Sequence, residues 1–325
     1  MRLSQLVDLP YVGLTPMEIS KRVWLIDFPL RTYGEHNGKK NVLTFEFYGL
    51  MFSLLANQPF TLVRFTDGST YTYVQEGSEF HGLYFYESAK SPAFSKLVYG
   101  TADAFVATNN VLKSFSEQSD RLIISWSCTA PINAQSVLSQ IAVGSDVATS
   151  TIITLAGNDV AITSGQTITW RLNLFEPILK NFGYVLYGLL SASAPTGVVD
   201  LSGTSHDVRT NDYETKVATG NPKVQFGTSN NPFSFDDYAI TNPIETTPEI
   251  AKYEASDYKY IAVVFTCHIV PANDTDIYEI GIVRTLYDSG GNTYDALLTR
   301  MVLSEPITLY GGKTNVIFIR LLAKE

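Results

Sequence analysis

Self-similarity constrains this chain more than any single motif does. Tyr48-Gly49-Leu50 recurs as Tyr187-Gly188-Leu189, and Tyr99-Gly100-Thr101 as Phe226-Gly227-Thr228. Phe105 and the run Asn109-Asn110-Val111-Leu112 align with Phe233 and Asp237-Tyr238-Ala239-Ile240. Cys128 falls on Cys267, Gln140-Ile141-Ala142-Val143 on Glu279-Ile280-Gly281-Ile282, and Gly165-Gln166-Thr167 on Gly312-Lys313-Thr314. The offset between partners drifts a little, as insertions and deletions in loops produce. The period is several times the roughly 20–50 residues of a solenoid repeat. The pattern predicts a tandem pair, each unit long enough to bury its own core. The first unit covers residues 36–175, the second residues 176–325, and residues 1–35 precede both as an N-terminal arm.

Within each unit the dominant period is two. The 19 tyrosines and 18 phenylalanines, with many Thr, Val and Ile, favour sheet over helix. Phe60–Phe65 and Thr70–Val74 flank Asp67-Gly68, a strong hairpin signal. Further strand-like runs are Gly82–Tyr86, Lys96–Tyr99, Arg121–Trp126, Ser150–Leu155, Gln166–Leu172 and Val198–Leu201. Many short strands with frequent turn signals predict an all-β chain of two β-sandwich, jelly-roll-like domains. Gly203 to Pro222 is polar and rich in Thr, Asn, Asp and Ser, and reads as a long exposed loop.

Two stretches switch to a helical period, one per unit. Leu43, Phe47, Leu50, Met51 and Leu54 share one helix face, as do Ile178, Phe182, Val185, Leu186 and Leu189 after Glu176-Pro177. The arm carries a third helix signal. Thr15-Pro16-Met17-Glu18 offers an N-cap, a proline at the first helical position and a capping-box glutamate. It predicts a short helix through Trp24-Leu25-Ile26. With Phe28 and Leu30 beyond, the arm is too apolar to stand in water and must dock on a body or a neighbour.

The last hundred residues hold an ordered set of short motifs. Phe226-Gly227-Thr228 precedes Asp237-Tyr238-Ala239-Ile240, a long apolar strand follows, then Glu279-Ile280-Gly281-Ile282. Leu297-Leu298-Thr299-Arg300, Pro306-Ile307 and Gly312-Lys313-Thr314 close the set. In order and spacing this resembles a module of virion structural proteins of bacterial and archaeal viruses. The first unit lacks the Asp-Tyr and the Glu-Ile-Gly. The resemblance implies a non-enzymatic capsid, turret, neck or tail component in a virion. Its partners would be other copies of the chain and other virion proteins. A receptor-binding tail fibre or spike, recognising a host surface glycan or protein through Tyr84-Phe85-Tyr86 or Tyr213, is the alternative.

Chemistry is sparse by comparison. His36, His81, His206 and His268 lack metal-ligand spacing, and the adjacent Cys267-His268 point to opposite faces of a strand. Cys128 and Cys267 sit in apolar runs as small buried hydrophobes, without a disulfide or CxxC pattern. Asn273-Asp274-Thr275-Asp276 holds several oxygens but lacks calcium-loop spacing. Asp236-Asp237 reads as a turn cap, and Glu279 is placed to pair with Arg300. No nucleophile elbow, P-loop or dinucleotide fingerprint occurs. The expectation is therefore no catalytic residue, metal or cofactor. A net charge of −9 without a basic patch argues against nucleic acid as a partner. No apolar run reaches the length of a membrane span, and no leader of signal-peptide type opens the chain.

Overall fold

The computed structural model describes residues 3–36, 38–41, 43–63, 70–73, 82–87, 104–107, 112–129, 135–144, 152–163, 165–191, 196–208, 217–254 and 260–324. Among these the chain is mostly strand. It opens with α1 (Leu3–Val7), β1 (Met17–Ser20), β2 (Val23–Asp27), β3 (Thr32–His36) and β4 (Lys39–Asn41). Then come α2 (Phe45–Ala56), β5 (Phe60–Val63), β6 (Thr70–Tyr73), β7 (Gly82–Glu87), β8 (Ala104–Ala107) and β9 (Leu112–Glu117). β10 (Leu122–Thr129), β11 (Gln135–Gly144), β12 (Ile152–Thr163) and β13 (Thr167–Leu174) lead to α3 (Lys180–Ser191). After it follow β14 (Thr196–Val199), β15 (Ser205–Asp207), β16 (Ala218–Gly227), β17 (Ile244–Thr246) and β18 (Glu249–Glu254). The last four are β19 (Tyr260–Ile269), β20 (Thr275–Tyr287), β21 (Thr293–Leu309) and β22 (Asn315–Lys324).

Four sheets carry the body. One five-stranded sheet has the order β4-β3-β13-β10-β9, the other β1-β2-β22-β19-β18. Two four-stranded sheets run β12-β11-β7-β8 and β17-β16-β20-β21. Thus β9, β10 and β13 take the places in one five-stranded sheet that β18, β19 and β22 take in the other. The strands β8, β7, β11 and β12 likewise mirror β17, β16, β20 and β21. The segment β2–β3 stitches the two five-stranded sheets together. β2 lies parallel to β22 and β3 antiparallel to β13. Between them the Phe28 N–H donates to the Arg320 carbonyl (2.9 Å), and the Phe175 N–H to the Arg31 carbonyl (3.1 Å).

Both helices expected from periodicity form. Thr44 caps α2 through its Oγ1, which accepts from the Phe47 N–H at 3.3 Å, and Asn57 ends it in the left-handed conformation. Every residue of α2 except Tyr48 is buried, as expected of a helix that is apolar nearly all round. Its partners explain this. Although α2 lies within residues 36–175, it packs on β16, β19 and β22, as well as on β5 and β12. Conversely α3, within residues 176–325, packs on β7, β9 and β10, as well as on β14 and β21. Phe115 stacks on Tyr184 at 4.5 Å, and Gly183 lets the helix approach, since a Cβ there would meet the Phe115 ring at 2.9 Å. One continuous apolar cluster therefore runs from Trp24 through Trp126 and Phe182 to Leu321.

Two expectations are corrected. The capped helix from Thr15 is a hairpin, β1–β2, and the arm's helix is α1 instead. Thr15 Oγ1 bonds Ser304 Oγ (3.0 Å) rather than capping a helix. The reason is burial: Trp24, Leu25, Ile26 and Asp27 are enclosed on both faces. An added strand buries both faces and pairs its backbone with β22, which outweighs a local capping preference. The exposed loop from Gly203 to Pro222 is interrupted by β15 and by the start of β16, with Val208, Val217, Ala218 and Pro222 buried. A register shift between Thr219 and Lys223, where Gly220 takes φ 63°, makes a bulge at the start of β16, and residues 209–216 lie outside the described residues. The expected hairpin pairs as β5–β6. Its Asp67-Gly68 turn, like Lys96–Tyr99, lies outside the described residues.

Candidate functional site

The motif residues of the last hundred positions converge on one buried network. β20 places Glu279 and β21 places Arg300 on neighbouring strands, with side chains 1% and 4% exposed. Arg300 Nε donates to Glu279 Oε2 at 2.6 Å, and Nη1 to Asp237 Oδ2 at 2.8 Å. Its remaining donors reach the carbonyls of Pro232 (3.1 Å) and Asn231 (3.0 Å). Glu279 Oε1 accepts from the Thr241 N–H at 2.9 Å, and Asp237 Oδ2 from the Ser234 N–H at 2.9 Å. Gly227 must be glycine here, because a Cβ would stand 2.4 Å from Glu279 Oε1 and from Ile240 Cγ2. Both carboxylates and the guanidinium are thus spent on fixing the loop between β16 and β17. Asp236, read as the companion of Asp237, faces outward to Lys180 Nζ at 2.9 Å. Lys180 is held above its ordinary range by its bonds to Glu117 and Asp236.

The oxygen-rich turn at Asn273–Asp276 is likewise consumed by local bonds. Asp274 Oδ1 accepts from the Gly311 N–H (2.7 Å), and Asp276 Oδ1 from Thr308 Oγ1 (2.7 Å). Among the described residues no group of three His, Cys, Asp or Glu side chains is arranged to hold a metal ion. Cys267 is a free, buried thiol pushed upward by burial, while His268 beside it is exposed, so the two do face opposite ways. The side chains of Cys128, His36, His81, Tyr84, Phe85, Tyr86 and Tyr213 lie outside the described residues.

His206 stands in a built environment. Its Nε2 lies 2.9 Å from Asp200 Oδ2, and its ring stacks on Tyr294 at 4.1 Å. Burial raises the Asp200 carboxyl, but bonds from Ser202, His206 and Thr204 overcome this and hold it well below the usual carboxylate range. Tyr294 is raised by burial and by the surrounding Asp288, Asp207 and Asp200. These bonds fasten the β14–β15 ribbon to β21.

Sequence reasoning missed three buried charges. Arg320 is enclosed by the arm: Nε and Nη2 grip Asp27 Oδ1 and Oδ2 at 2.5 and 2.9 Å. Its other bonds run to the carbonyls of Leu6, Leu9 (3.0 Å) and Pro10 (3.1 Å). Arg284, fully buried on β20, has no hydrogen-bond partner at any nitrogen among the described residues. Burial pulls its guanidinium down to about 10. Glu46, at the start of α2, is pushed up to about 8 by burial, and its Oε1 has no partner among the described residues. Alternation was the available signal for Arg284, which follows Ile280 and Ile282 on the inward face of β20.

Two cavities are lined by described residues. One of about 530 Å³ lies between the arm (Val7, Asp8, Leu9, Pro10) and Tyr260, Leu322 and Lys324. Another of about 160 Å³ lies beside Lys180, Tyr184 and Asp236. No helix among the described residues is long and apolar enough to cross a membrane. Comparison with protein-family models, with curated proteins and with solved structures returns no match to this chain.

Proposed function

We propose that this chain is a non-enzymatic structural subunit of a bacterial or archaeal virion, built from two tandem β-sandwich units and assembling with copies of itself. The observation that carries the reading is the fate of the motif residues. Gly227, Asp237, Glu279 and Arg300 meet in one internal network that shapes a loop between strands. Residues used in this way specify a scaffold, and a scaffold acts through its surfaces. The matching strand orders of the two halves support the tandem arrangement. Two similar units in one chain suit two quasi-equivalent positions in a ring or lattice.

The test is assembly. Recombinant chain, concentrated under non-denaturing conditions, is expected to form closed rings, tubes or shells visible by electron microscopy and sedimenting as a discrete species. Labelled antibody should then decorate virions at regular positions. A chain that stays monomeric at every concentration, yet binds host cells saturably, would replace this reading with the receptor-binding one.

A further inference from the structure

The backbone and polar bonds of the N-terminal arm run to the last strands of the chain, and its Trp24 and Ile26 join the apolar core beneath them. β2 pairs in parallel with β22 from Val23↔Val316 to Asp27↔Arg320. The Val316 N–H donates to the Arg22 carbonyl (2.9 Å), and the Ser304 N–H reaches the Leu14 carbonyl (3.4 Å). Arg320 closes the set from beneath, binding Asp27 at both oxygens and the carbonyls of Leu6, Leu9 and Pro10. These bonds all end on residues 304–320. The arm joins the body through only Phe28–Arg31, a short hinge with Pro29 in it and a tight Arg31 N–H to Pro29 carbonyl contact (3.1 Å).

We propose that the arm is exchanged between chains, residues 3–27 of one copy lying on β22 of a second copy. This rests on the self-assembly reading above and names the contact that would carry it. The partner is a second copy because the site is built for this sequence. A fully buried Asp27–Arg320 pair accepts only an arm that brings a carboxylate to that register. Exchange keeps every bond between the arm and residues 304–320 and gives up only the Arg31–Pro29 turn of the hinge, which makes it a low-cost route to association. A short hinge that turns tightly in the closed form relaxes when it extends toward a neighbour. At high dilution the tethered arm wins by its effective concentration; within an assembly the neighbour's arm competes on equal terms.

A pair of cysteines decides it. Val23→Cys with Val316→Cys joins register partners that are both partly exposed. Leu25→Cys with Phe318→Cys is a second pair one step along, should the first fail to fold. Each full-length variant is oxidised once as dilute monomer and once after assembly, then denatured and run without reductant. Single-cysteine variants serve as controls. Exchange is expected to give monomer-length bands from the dilute sample and cross-linked dimers or longer ladders from the assembled one. Assembled protein that yields only intrachain bonds overturns the exchange while leaving self-assembly standing. Bonds of neither kind, in either pair, also overturn it. If the chain never assembles, the self-assembly reading falls and exchange falls with it.

Discussion

Three buried charges divide by whether their surroundings complete them, and each division has a measurable consequence. Arg300 is saturated by Glu279, Asp237 and two carbonyls. Arg300→Met leaves the Glu279 carboxylate buried without its cation, so denaturant unfolding should show a loss of about 3–5 kcal/mol. Arg284 is the opposite case, enclosed with no partner at any nitrogen among the described residues. Arg284→Met should therefore be neutral or stabilising by about 1–4 kcal/mol, as replacement of unfavourably buried charge by an apolar side chain of similar size tends to be. A marked loss there would mean that the guanidinium has a partner in solution. Glu46 titrates differently. Burial raises its carboxyl from 4.5 to about 8, so the folded state holds the proton more tightly than the unfolded chain. Its contribution is full below the ordinary carboxylate range and is lost as the pH rises through about 8. Glu46→Gln should match the parent near pH ~5 and exceed its melting temperature near pH ~9, flattening the decline between. Of these residues only Glu279 and Arg300 were named together from the sequence, as one pairing open to a half-buried glutamate. Arg284 was signalled only by its alternation with Ile280 and Ile282 and Glu46 only by its place in an apolar helix, and neither says what covers the residue.

At the level of elements, legibility followed whether a segment's fate was local. α2 and α3 were readable because their apolar faces repeat over several turns, and β5–β6 because a hairpin needs only its own turn. The arm was not, because its strand exists only by pairing with β22, nearly three hundred residues away. A capping signal at Thr15 is worth about 1 kcal/mol, little against the burial of Trp24, Leu25, Ile26 and Phe28. The start of β16 was hidden for the same reason: its bulge carries the polar residues of a loop while its backbone pairs with β20. The arm should accordingly be coupled to the whole core. Asp27→Asn removes the countercharge of a buried Arg320 and should cost about 3–5 kcal/mol, read as a lower urea midpoint. Adding Arg320→Met to the same chain should recover much of that loss. If the double variant is no better than Asp27→Asn alone, the carbonyl bonds of Arg320 rather than its charge hold the arm.

For the whole molecule, the two halves are wound into each other rather than set side by side. The sequence repeat suggested units that each close a core. The helices cross over, however. α2 lies against both sheets formed by β16, β19 and β22, and α3 against both sheets formed by β7, β9 and β10. The β2–β3 segment then gives one strand to each five-stranded sheet. A fragment of residues 176–325 would lack α2 and β2, exposing Phe265, Ile317 and Ile319, all fully buried in the intact chain. A fragment of residues 1–175 would lack α3, uncovering Phe115 on β9 and Leu122 on β10, against which Gly183 and Tyr184 pack. Each missing helix removes several side chains, each worth about 1.5–3 kcal/mol on burial, against a net stability of only about 5–15 kcal/mol. Neither fragment should therefore unfold cooperatively by itself. Co-expressed, the two should associate one to one and recover a single transition with the near-ultraviolet signal of the parent. A cooperative transition from either fragment alone would show that its core closes without the crossed helix.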